Sequence, residues 1–251
     1  MYQENGKWYL NCTTKNDKTR LKNIKDLENL IKKVGFLPIF SNDIPLFSVE
    51  EKTLIEDWWS GDFKKDPWIW REILCENENI AYGKFFDKKA GFISKEFFPD
   101  FSNFKRNGYD FDAAYEDGLE NKKEKLIMDL FLPDKKEVCD IKEEDYIEFL
   151  SCDIKKKANF SKTGESNFEG TISLLQTKSY LLASSFRQRK NKKGEDYGWN
   201  IAVLTMPEMK FGYDFVSSAY QRTPLESFEI VKDKIKENFD ATDEQIRKIF
   251  K

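Results

Sequence analysis

Two hairpin signals, each preceded by helix signals, constrain the fold of this chain more than any other feature. The apolar runs IAYGKFF and AGFI flank Asp87-Lys88-Lys89 and predict a first hairpin. SYLLASSFRQR and YGWNIAVLTM flank NKKGED and predict a second hairpin with a basic tip. This order, helices and then a hairpin, is that of a winged helix. In that fold the last helix enters a DNA groove, and the hairpin contacts the DNA backbone beside it.

Capping and periodicity predict the helices of the first half. In DLENLIKKVGF, apolar residues recur at helical spacing before a glycine stop: Leu27, Leu30, Ile31, Val34 and Gly35. Ser48 and Glu51 form a capping box that predicts a second helix running to about Trp59. Asp66-Pro67 predicts the start of a third helix, which runs to about Glu76.

Helix signals return after the first hairpin. Helices are predicted near residues 94–106, 120–131 and 143–152, with Gly108 and Pro133 as breaks. In SNFEGTISLLQTK, a Ser166 cap precedes three residues that share one face: Phe168, Ile172 and Leu175. Two capped helices, opening at Thr223 and Thr242, follow the second hairpin.

These signals together predict an α+β fold that is mostly helical, with tandem winged-helix units, short β-hairpins and a C-terminal helical extension. The predicted divisions are an N-terminal appendage over residues 1–21, a first winged-helix unit over 22–94, a second unit with leading helices over 95–206, and the extension over 207–251.

Composition excludes several kinds of chemistry. The chain has no histidine, which removes Ser-His and Cys-His nucleophile pairs and histidine-ligated zinc. Its 4 cysteines are scattered with no C-x-x-C pair and are predicted to be reduced. No phosphate-binding or nucleophile-elbow motif occurs. We expect no metal or cofactor, no membrane span, and a cytoplasmic protein.

A net charge of -3 hides a strong local asymmetry. Residues 154–194 carry ten Lys or Arg against Glu165 and Glu169, a local charge of +8 (ten minus two), so the remainder carries -11 (-3 minus +8). A region this basic favours contact with phosphates, although most charge runs are solvated surfaces. The predicted cations flanking the later helix and hairpin include Lys155, Lys156, Lys157 and Lys162.

The helix before the second hairpin is the candidate for reading DNA. If its apolar face points inward, then Glu169, Gly170, Ser173, Gln176 and Thr177 point outward. Gln pairs with adenine, and Ser or Thr with several base edges, so Ser173, Gln176 and Thr177 are the predicted groove contacts. The predicted phosphate contacts are Lys178, Arg187, Arg189, Lys190, Lys192 and Lys193.

Aromatic residues are abundant, with 22 Phe, 10 Tyr and 6 Trp. Phe85 and Phe92 fall in paired strands, and rings recur at three and four along the following helix, which favours core packing over base stacking. Trp68, Trp70 and Arg71 could form a surface cluster, but a ring-filled seam beside Trp58 and Trp59 is favoured. The charged turn at Asp87, Lys88 and Lys89 faces solvent or, alternatively, phosphate.

Carboxylates gather in YDFDAAYEDG, where Asp110, Asp112, Glu116 and Asp117 could hold a hard cation such as Mg²⁺ or Ca²⁺. Their spacing lacks the EF-hand pattern, and an acidic loop without an ion is the favoured interpretation.

Three segments carry a family resemblance: KKVGFLPIF, then AYGKFFDKKAGFISKEFFPDF, then SNFEGTISLLQTKSYLLASSFRQRK with NIAVLTMPE. In order and spacing, over roughly residues 24–240, they resemble the AlkZ (YcaQ) family of winged-helix DNA glycosylases, and most closely the AlkZ-related bacterial proteins. The resemblance implies tandem winged helices around a basic DNA cleft.

The same resemblance also implies a departure at the catalytic positions. Those glycosylases carry a Gln-x-Gln or Gln-x-Asp motif soon after a Gly-Phe that ends a helix, and the matching positions here are Pro38 and Phe40. Neither side chain can activate water. Asp87 lies near the place of a family histidine in the first wing. No catalytic residue transfers to this chain.

The resulting hypothesis is a DNA-binding protein, related to DNA repair, that lacks the glycosylase chemistry of its relatives. Two alternatives stay open. One is a protein-interaction module whose aromatic first unit contacts a partner or a second copy. The other is a divergent N-glycosylase that uses Asp87 or the acidic loop as its base.

Overall fold

A computed structural model describes residues 2–4, 7–132, 137–160 and 164–251. The chain divides into two compact units, Met1–Phe98 with Glu229–Lys251, and Pro99–Phe228. The residues from Glu229 onward therefore belong to the first unit, in place of the separate extension predicted over 207–251. The predicted break at Pro133 and the predicted cation Lys162 lie outside the described residues.

The mixed, mainly helical composition is confirmed, with 46% helix and 17% strand. The first unit contains two short paired strands, β1 (Tyr2–Glu4) and β2 (Lys7–Tyr9), followed by α1 (Ile24–Val34), β3 (Phe36–Pro38), α2 (Pro67–Cys75), β4 (Ile80–Phe86) and β5 (Lys89–Ser94). Strand β5 pairs antiparallel with β3 on one side and with β4 on the other.

Local capping explains where the helices of the first unit begin and end. The Asn23 side chain accepts from the Asp26 amide at the start of α1, and Gly35 ends the helix with a φ of 79°. Asp66 caps α2 by accepting from the Trp68 amide, with Pro67 in the first turn, as its sequence predicts. Asp87 and Lys88 form the β4–β5 turn with positive φ values of 47° and 62°.

The helix predicted from Ser48 to Trp59 is wrong. The Ser48 hydroxyl and the Glu51 amide do bond, at 3.2 Å, but only short 3-10 turns follow, at Glu50–Lys52 and Ile55–Asp57. Thr53 stops the first turn because its backbone is extended and its hydroxyl donates to the Val49 carbonyl at 2.9 Å. Two α-helices, not three, therefore precede the first hairpin in the described residues.

The second unit is built from further helices and three strands. Its elements are α3 (Phe98–Arg106), α4 (Phe111–Glu116), α5 (Lys122–Met128), β6 (Phe149–Leu150), α6 (Ser151–Lys157), α7 (Phe168–Thr177), β7 (Leu182–Lys190), β8 (Asp196–Thr205), α8 (Pro207–Phe211) and α9 (Tyr213–Val216). Strand β8 pairs antiparallel with both β7 and β6. Two C-terminal helices follow in the chain: α10 (Pro224–Asn238), which begins in the second unit, and α11 (Asp243–Ile249), which belongs to the first.

Two local predictions for the second unit are wrong. The helix predicted over 143–152 is replaced by β6 and α6, because Phe149 and Leu150 pair with Leu204 and Val203 of β8. The Ser166 cap is also wrong, since α7 has Asn167 at its N-cap with a φ of 66° and no side-chain cap bond. The capping box predicted at Thr242 with Gln245 is confirmed.

Rings fill the core of each unit, which confirms the interpretation of the aromatic residues as core. In the first unit, Phe47 packs on Phe239 with ring centroids 4.7 Å apart, and Phe36 packs on Phe250 at 6.1 Å. These contacts give the physical reason why the C-terminal residues join the first unit. In the second unit, Phe104 packs on Phe228 at 4.7 Å.

Among the described residues, none of the helices combines the length and the apolar character that crossing a bilayer requires.

Candidate functional site

The outer half of the second hairpin is the most exposed regular structure of the second unit. The roots of β7 and β8 are buried, but every residue from Arg187 to Asn200 is exposed. We call residues 187–200 the arm. A strand pair with neither face covered gains little from burial, so its side chains are available for contact with a partner.

The arm carries five cations and two carboxylates, a net charge of +3 (five minus two). Its cations are Arg187, Arg189, Lys190, Lys192 and Lys193. The Arg189 guanidinium lies 5.5 Å from the centroid of the Tyr197 ring. All five are predicted phosphate contacts, and the three lysines among them form no ion pair with any described residue: Lys190, Lys192 and Lys193.

Arg187 is held differently, by a carboxylate at the base of the arm. Its guanidinium donates to Glu148, which also accepts from the Ser184 hydroxyl at 2.8 Å. Burial acts to raise the pKa of Glu148, but the hydrogen bonds from Ser184 and Arg187 outweigh it and lower the pKa. Glu148 is therefore ionised at neutral pH and fixes one side of the arm.

A groove of about 690 Å³ runs between α6 and the arm. Its lining includes Lys156, Arg187, Arg189 and Lys190, together with Asp153 and Asp196. Lys156 is itself paired with Asp153 at 3.6 Å. Cations outnumber carboxylates in this lining, which makes the groove a suitable place for an anionic chain.

The predicted outward polar face of α7 is wrong. Ser173, Gln176 and Thr177 are only 6%, 6% and 4% exposed. The Thr177 hydroxyl donates to the Ser173 carbonyl at 2.9 Å, and the Gln176 amide donates to the Ile172 carbonyl at 3.3 Å. Small polar side chains can be satisfied by the helix's own backbone, so their polarity did not imply exposure. These three residues do not belong to an accessible surface of the structure.

Lys178 lies at the end of α7 and is already paired. Its ammonium contacts both carboxylate oxygens of Glu120, at 2.6 and 2.7 Å, and the Glu120 side chain is only 4% exposed. Of the other predicted flanking cations, Lys155 and Lys157 lie over the Phe168 and Phe149 rings at 5.8 and 5.3 Å. The nine of these cations that the structure describes therefore do not form one surface, and the arm holds five of them.

Two positions that the resemblance aligned with the catalytic motif, and the position that it placed near a family histidine, lie together in the first unit. Pro38, Phe40 and Asp87 line one pocket of about 120 Å³. In the same lining, the Lys248 ammonium of α11 donates to the Asp43 carboxylate and lowers the pKa of that carboxylate. The pocket contains carboxylates but no side chain at positions 38 and 40 that can bind water.

An aromatic cluster in the first unit continues from Phe40. Phe40 stacks on Trp58 with centroids 5.7 Å apart, and the Arg71 guanidinium lies 3.7 Å from the Trp68 ring centroid. The predicted ring-filled seam is therefore present. Part of it is open to solvent, since Trp59 is 55% exposed and the nearby Phe63 is 63% exposed.

Two of the four carboxylates in the acidic segment YDFDAAYEDG accept hydrogen bonds within the fold. Asp110 accepts from the hydroxyls of Tyr213 and Tyr220, each at 2.9 Å, and Asp112 accepts from the Val138 amide at 2.9 Å. Elsewhere in the described residues, the side chains that come close enough to share an ion are Glu137, Cys139 and Asp140, all exposed. Exposed acidic groups of this kind are common without an ion, so this group by itself does not indicate a metal site.

Comparison with known proteins identifies the family of this chain. Neither the curated proteins nor the solved structures include a match to this chain. The family model described as "AlkZ related" matches residues 21–251, which is nearly the whole chain. That match confirms the resemblance carried by the glycine-phenylalanine, first-hairpin and second-hairpin segments, and this chain belongs to the AlkZ-related family.

Proposed function

We propose that this protein binds DNA through the arm and the adjoining groove. The observation that carries the proposal is the set of three lysines, Lys190, Lys192 and Lys193, exposed on the arm without an ion pair among the described residues. Cations that have no carboxylate partner lose less on contacting a phosphate, because no existing ion pair has to be broken. Family membership supports the same function by relation to DNA glycosylases.

The proposed contact is local. The chain as a whole is acidic, at -3, so its overall field does not favour DNA. At physiological salt the Debye length is about 8 Å, which screens distant carboxylates from phosphates held at the arm. We therefore expect a moderate affinity that depends strongly on salt.

A charge-reversal experiment tests the proposal. The triple variant Lys190→Glu, Lys192→Glu and Lys193→Glu is compared with a matched variant that reverses three exposed lysines of the first unit, Lys18, Lys22 and Lys251. Fluorescence anisotropy with labelled DNA at several salt concentrations gives affinity and salt slope.

We expect the arm variant to bind DNA much more weakly, with a salt slope shallower by about two to three units, because up to three phosphate contacts are removed. The matched variant changes total charge equally but should keep both the affinity and the slope. A wild-type protein with no salt-dependent DNA binding would contradict the proposed function.

We also propose that DNA binding occurs without the glycosylase chemistry of the family. Pro38 and Phe40 stand at the positions that the resemblance aligned with the motif, and their side chains have no atom that could hydrogen-bond a water. The divergent-glycosylase alternative uses Asp87, which lines the same pocket. Incubation with alkylated and oxidised duplexes, followed by measurement of free base, separates the two. Base release that Asp87→Asn abolishes would establish the alternative.

A protein-interaction role is the second candidate, and the exposed rings favour it. Trp59 and Phe63 leave apolar surface open in the first unit. Sedimentation of the wild type and of a Trp59→Ala variant tests self-association through this surface. If the wild type associates and the variant does not, while arm charge reversal has no effect on association, the first unit acts as a protein-contact surface.

A further inference from the structure

Trp199 lies on the arm and is 87% exposed, a larger fraction than any other large apolar side chain recorded as exposed in the described residues. Indole is large and mostly apolar, and tryptophan is highly buried on average. Leaving its ring in water forgoes the stabilisation that burial would provide. Tryptophan is enriched at interfaces, where a partner covers its apolar ring.

The strand register shows how Trp199 is displaced from the ladder. Arg187 pairs with Ile201, but Arg189 pairs with Tyr197. Gln188 alone therefore faces three residues of β8, Gly198–Asn200, which form a bulge with Trp199 at its centre.

Two features hold this bulge in place. The Gln188 side-chain amide donates to the Gly198 carbonyl at 2.7 Å, across the two strands. Gly198 has a φ of 77°, a conformation that other residues adopt only with strain. The bulge is thus a defined structure that presents one aromatic ring.

The chemistry around the ring indicates what it contacts. Trp199 lies on the same short element as five cations, including Arg189 and Lys190. An exposed ring beside a row of cations is the combination that binds single-stranded nucleic acid, where bases stack on rings and phosphates contact the cations. In a fully paired duplex both faces of each base are already stacked, so the ring would first have to open a base step.

We propose that Trp199 stacks on an unpaired base, so that the arm prefers DNA containing single-stranded or unpaired nucleotides over fully paired duplex. The inference rests on the proposed function, since it assigns the kind of DNA that the arm binds. The inference adds Trp199 as a contact residue and a preference for unpaired nucleotides. The cations of the arm do not provide that preference, because single-stranded and duplex DNA both carry phosphates.

The test uses three labelled oligonucleotides: a single strand, the paired duplex, and the duplex with one unpaired nucleotide. Anisotropy is measured for the wild type, Trp199→Ala, Trp199→Phe, and Leu225→Ala, which removes an exposed apolar residue from another element. Trp199→Ala should weaken single-strand binding by about 5- to 150-fold, the equivalent of the stacking loss for one base. Its duplex affinity should change less than about twofold, and Trp199→Phe should retain part of the preference.

A second readout tests stacking directly. Single-stranded DNA should quench tryptophan emission of the wild type, and the Trp199→Phe variant should lose that part of the quenching. Circular dichroism of the variants should match the wild type, because an exposed side chain contributes little to the fold.

The two proposals fail in different ways. Suppose that charge reversal at Lys190, Lys192 and Lys193 abolishes DNA binding. If Trp199→Ala then weakens single-strand and duplex affinity equally, or changes neither affinity, the stacking inference is wrong and the proposed function stands. If the wild type binds no DNA, both are wrong. Self-association that Trp199→Ala abolishes, with unchanged DNA affinity, would assign the ring to a protein contact and overturn the inference.

Discussion

The Arg106 guanidinium donates a 2.5 Å hydrogen bond to the Glu208 carboxylate, and both side chains are buried in the second unit. Arg106 also donates to the Ser179 carbonyl at 2.8 Å and to the Tyr220 hydroxyl at 3.1 Å. One side chain thus joins α3 to α8 and to two connecting segments. The pair determines how these parts of the second unit fit together.

Replacing Arg106 should strongly destabilise the protein. Arg106→Met leaves the Glu208 carboxylate buried without its partner, which costs about 3–5 kcal/mol. Urea unfolding followed by circular dichroism measures the loss. The double variant Arg106→Met with Glu208→Leu should recover most of it, since two apolar side chains leave no buried charge. A double variant as unstable as the single one would show that the hydrogen bonds to Ser179 and Tyr220 dominate instead.

Asp66 should matter more than an ordinary helix cap. Its carboxylate accepts from three backbone amides, those of Trp59, Gly61 and Trp68, and the residue is 1% exposed. Asp66→Ala should lower the free energy of unfolding by about 2–4 kcal/mol, because it removes a helix cap and takes the acceptor from two further backbone amides. Asn23→Ala, at the exposed cap of α1, should cost only about 1 kcal/mol. Equal losses in the two variants would contradict this account.

Lys178 should stabilise the fold, whereas Lys193 should contribute to DNA binding. Burial raises the pKa of Glu120, and its ion pair with Lys178 opposes the shift. Lys178→Met should lower the free energy of unfolding by about 1–3 kcal/mol and leave DNA affinity per folded molecule unchanged. Lys193→Met should do the reverse, with no loss of stability and a salt slope shallower by about one unit or less. Unfolding and anisotropy measurements on both variants check the contrast.

Glu28 gives a pH dependence with a defined sign. Hydrogen bonds from Lys32 and Lys25, at 2.6 and 2.9 Å, lower its pKa from 4.5 to about 2. Because the folded pKa is depressed, the stabilisation is fully present above pH 4.5 and is lost as the pH falls toward 2. Glu28→Gln should therefore destabilise the protein at pH 7 by about 1 kcal/mol or less, since both lysine partners are exposed and solvent screens the ion pairs.

The difference between wild type and Glu28→Gln should shrink between pH 4.5 and pH 3, measured by urea unfolding. Glu78→Gln, at an exposed glutamate without an ion pair in the described part of the chain, should show no difference at any pH. A gap for Glu28→Gln that widened as the pH fell would reverse the assigned sign.

Sequence signals that depend on a few neighbouring residues were sufficient to predict much of the fold. The start of α2 at Asp66-Pro67, the Thr242 capping box and both hairpins follow from local capping and turn chemistry, and the structure confirms them. The helix predicted from Ser48 failed although its capping bond formed, because the extended Thr53 ended the turn. Capping starts a turn but does not ensure that a helix continues.

The candidate site required long-range information. Ser173, Gln176 and Thr177 looked like an outward polar face, yet all three are buried, because backbone carbonyls one turn earlier satisfy two of them. Trp199 carried no signal as a site residue, since a strand tryptophan is ordinarily core. Its exposure comes from the bulge opposite Gln188.

By itself, the sequence determined the family, the absence of histidine chemistry and the position of the basic hairpin, since each depends on residue identity and short-range order. Only the tertiary structure decided which cations are free and which are paired. Lys178 and Lys193 are equivalent as charges in the sequence, and the difference between them is the presence of Glu120, 58 positions away from Lys178. Burial and ion pairing depend on residues brought together by folding, which local patterns do not encode.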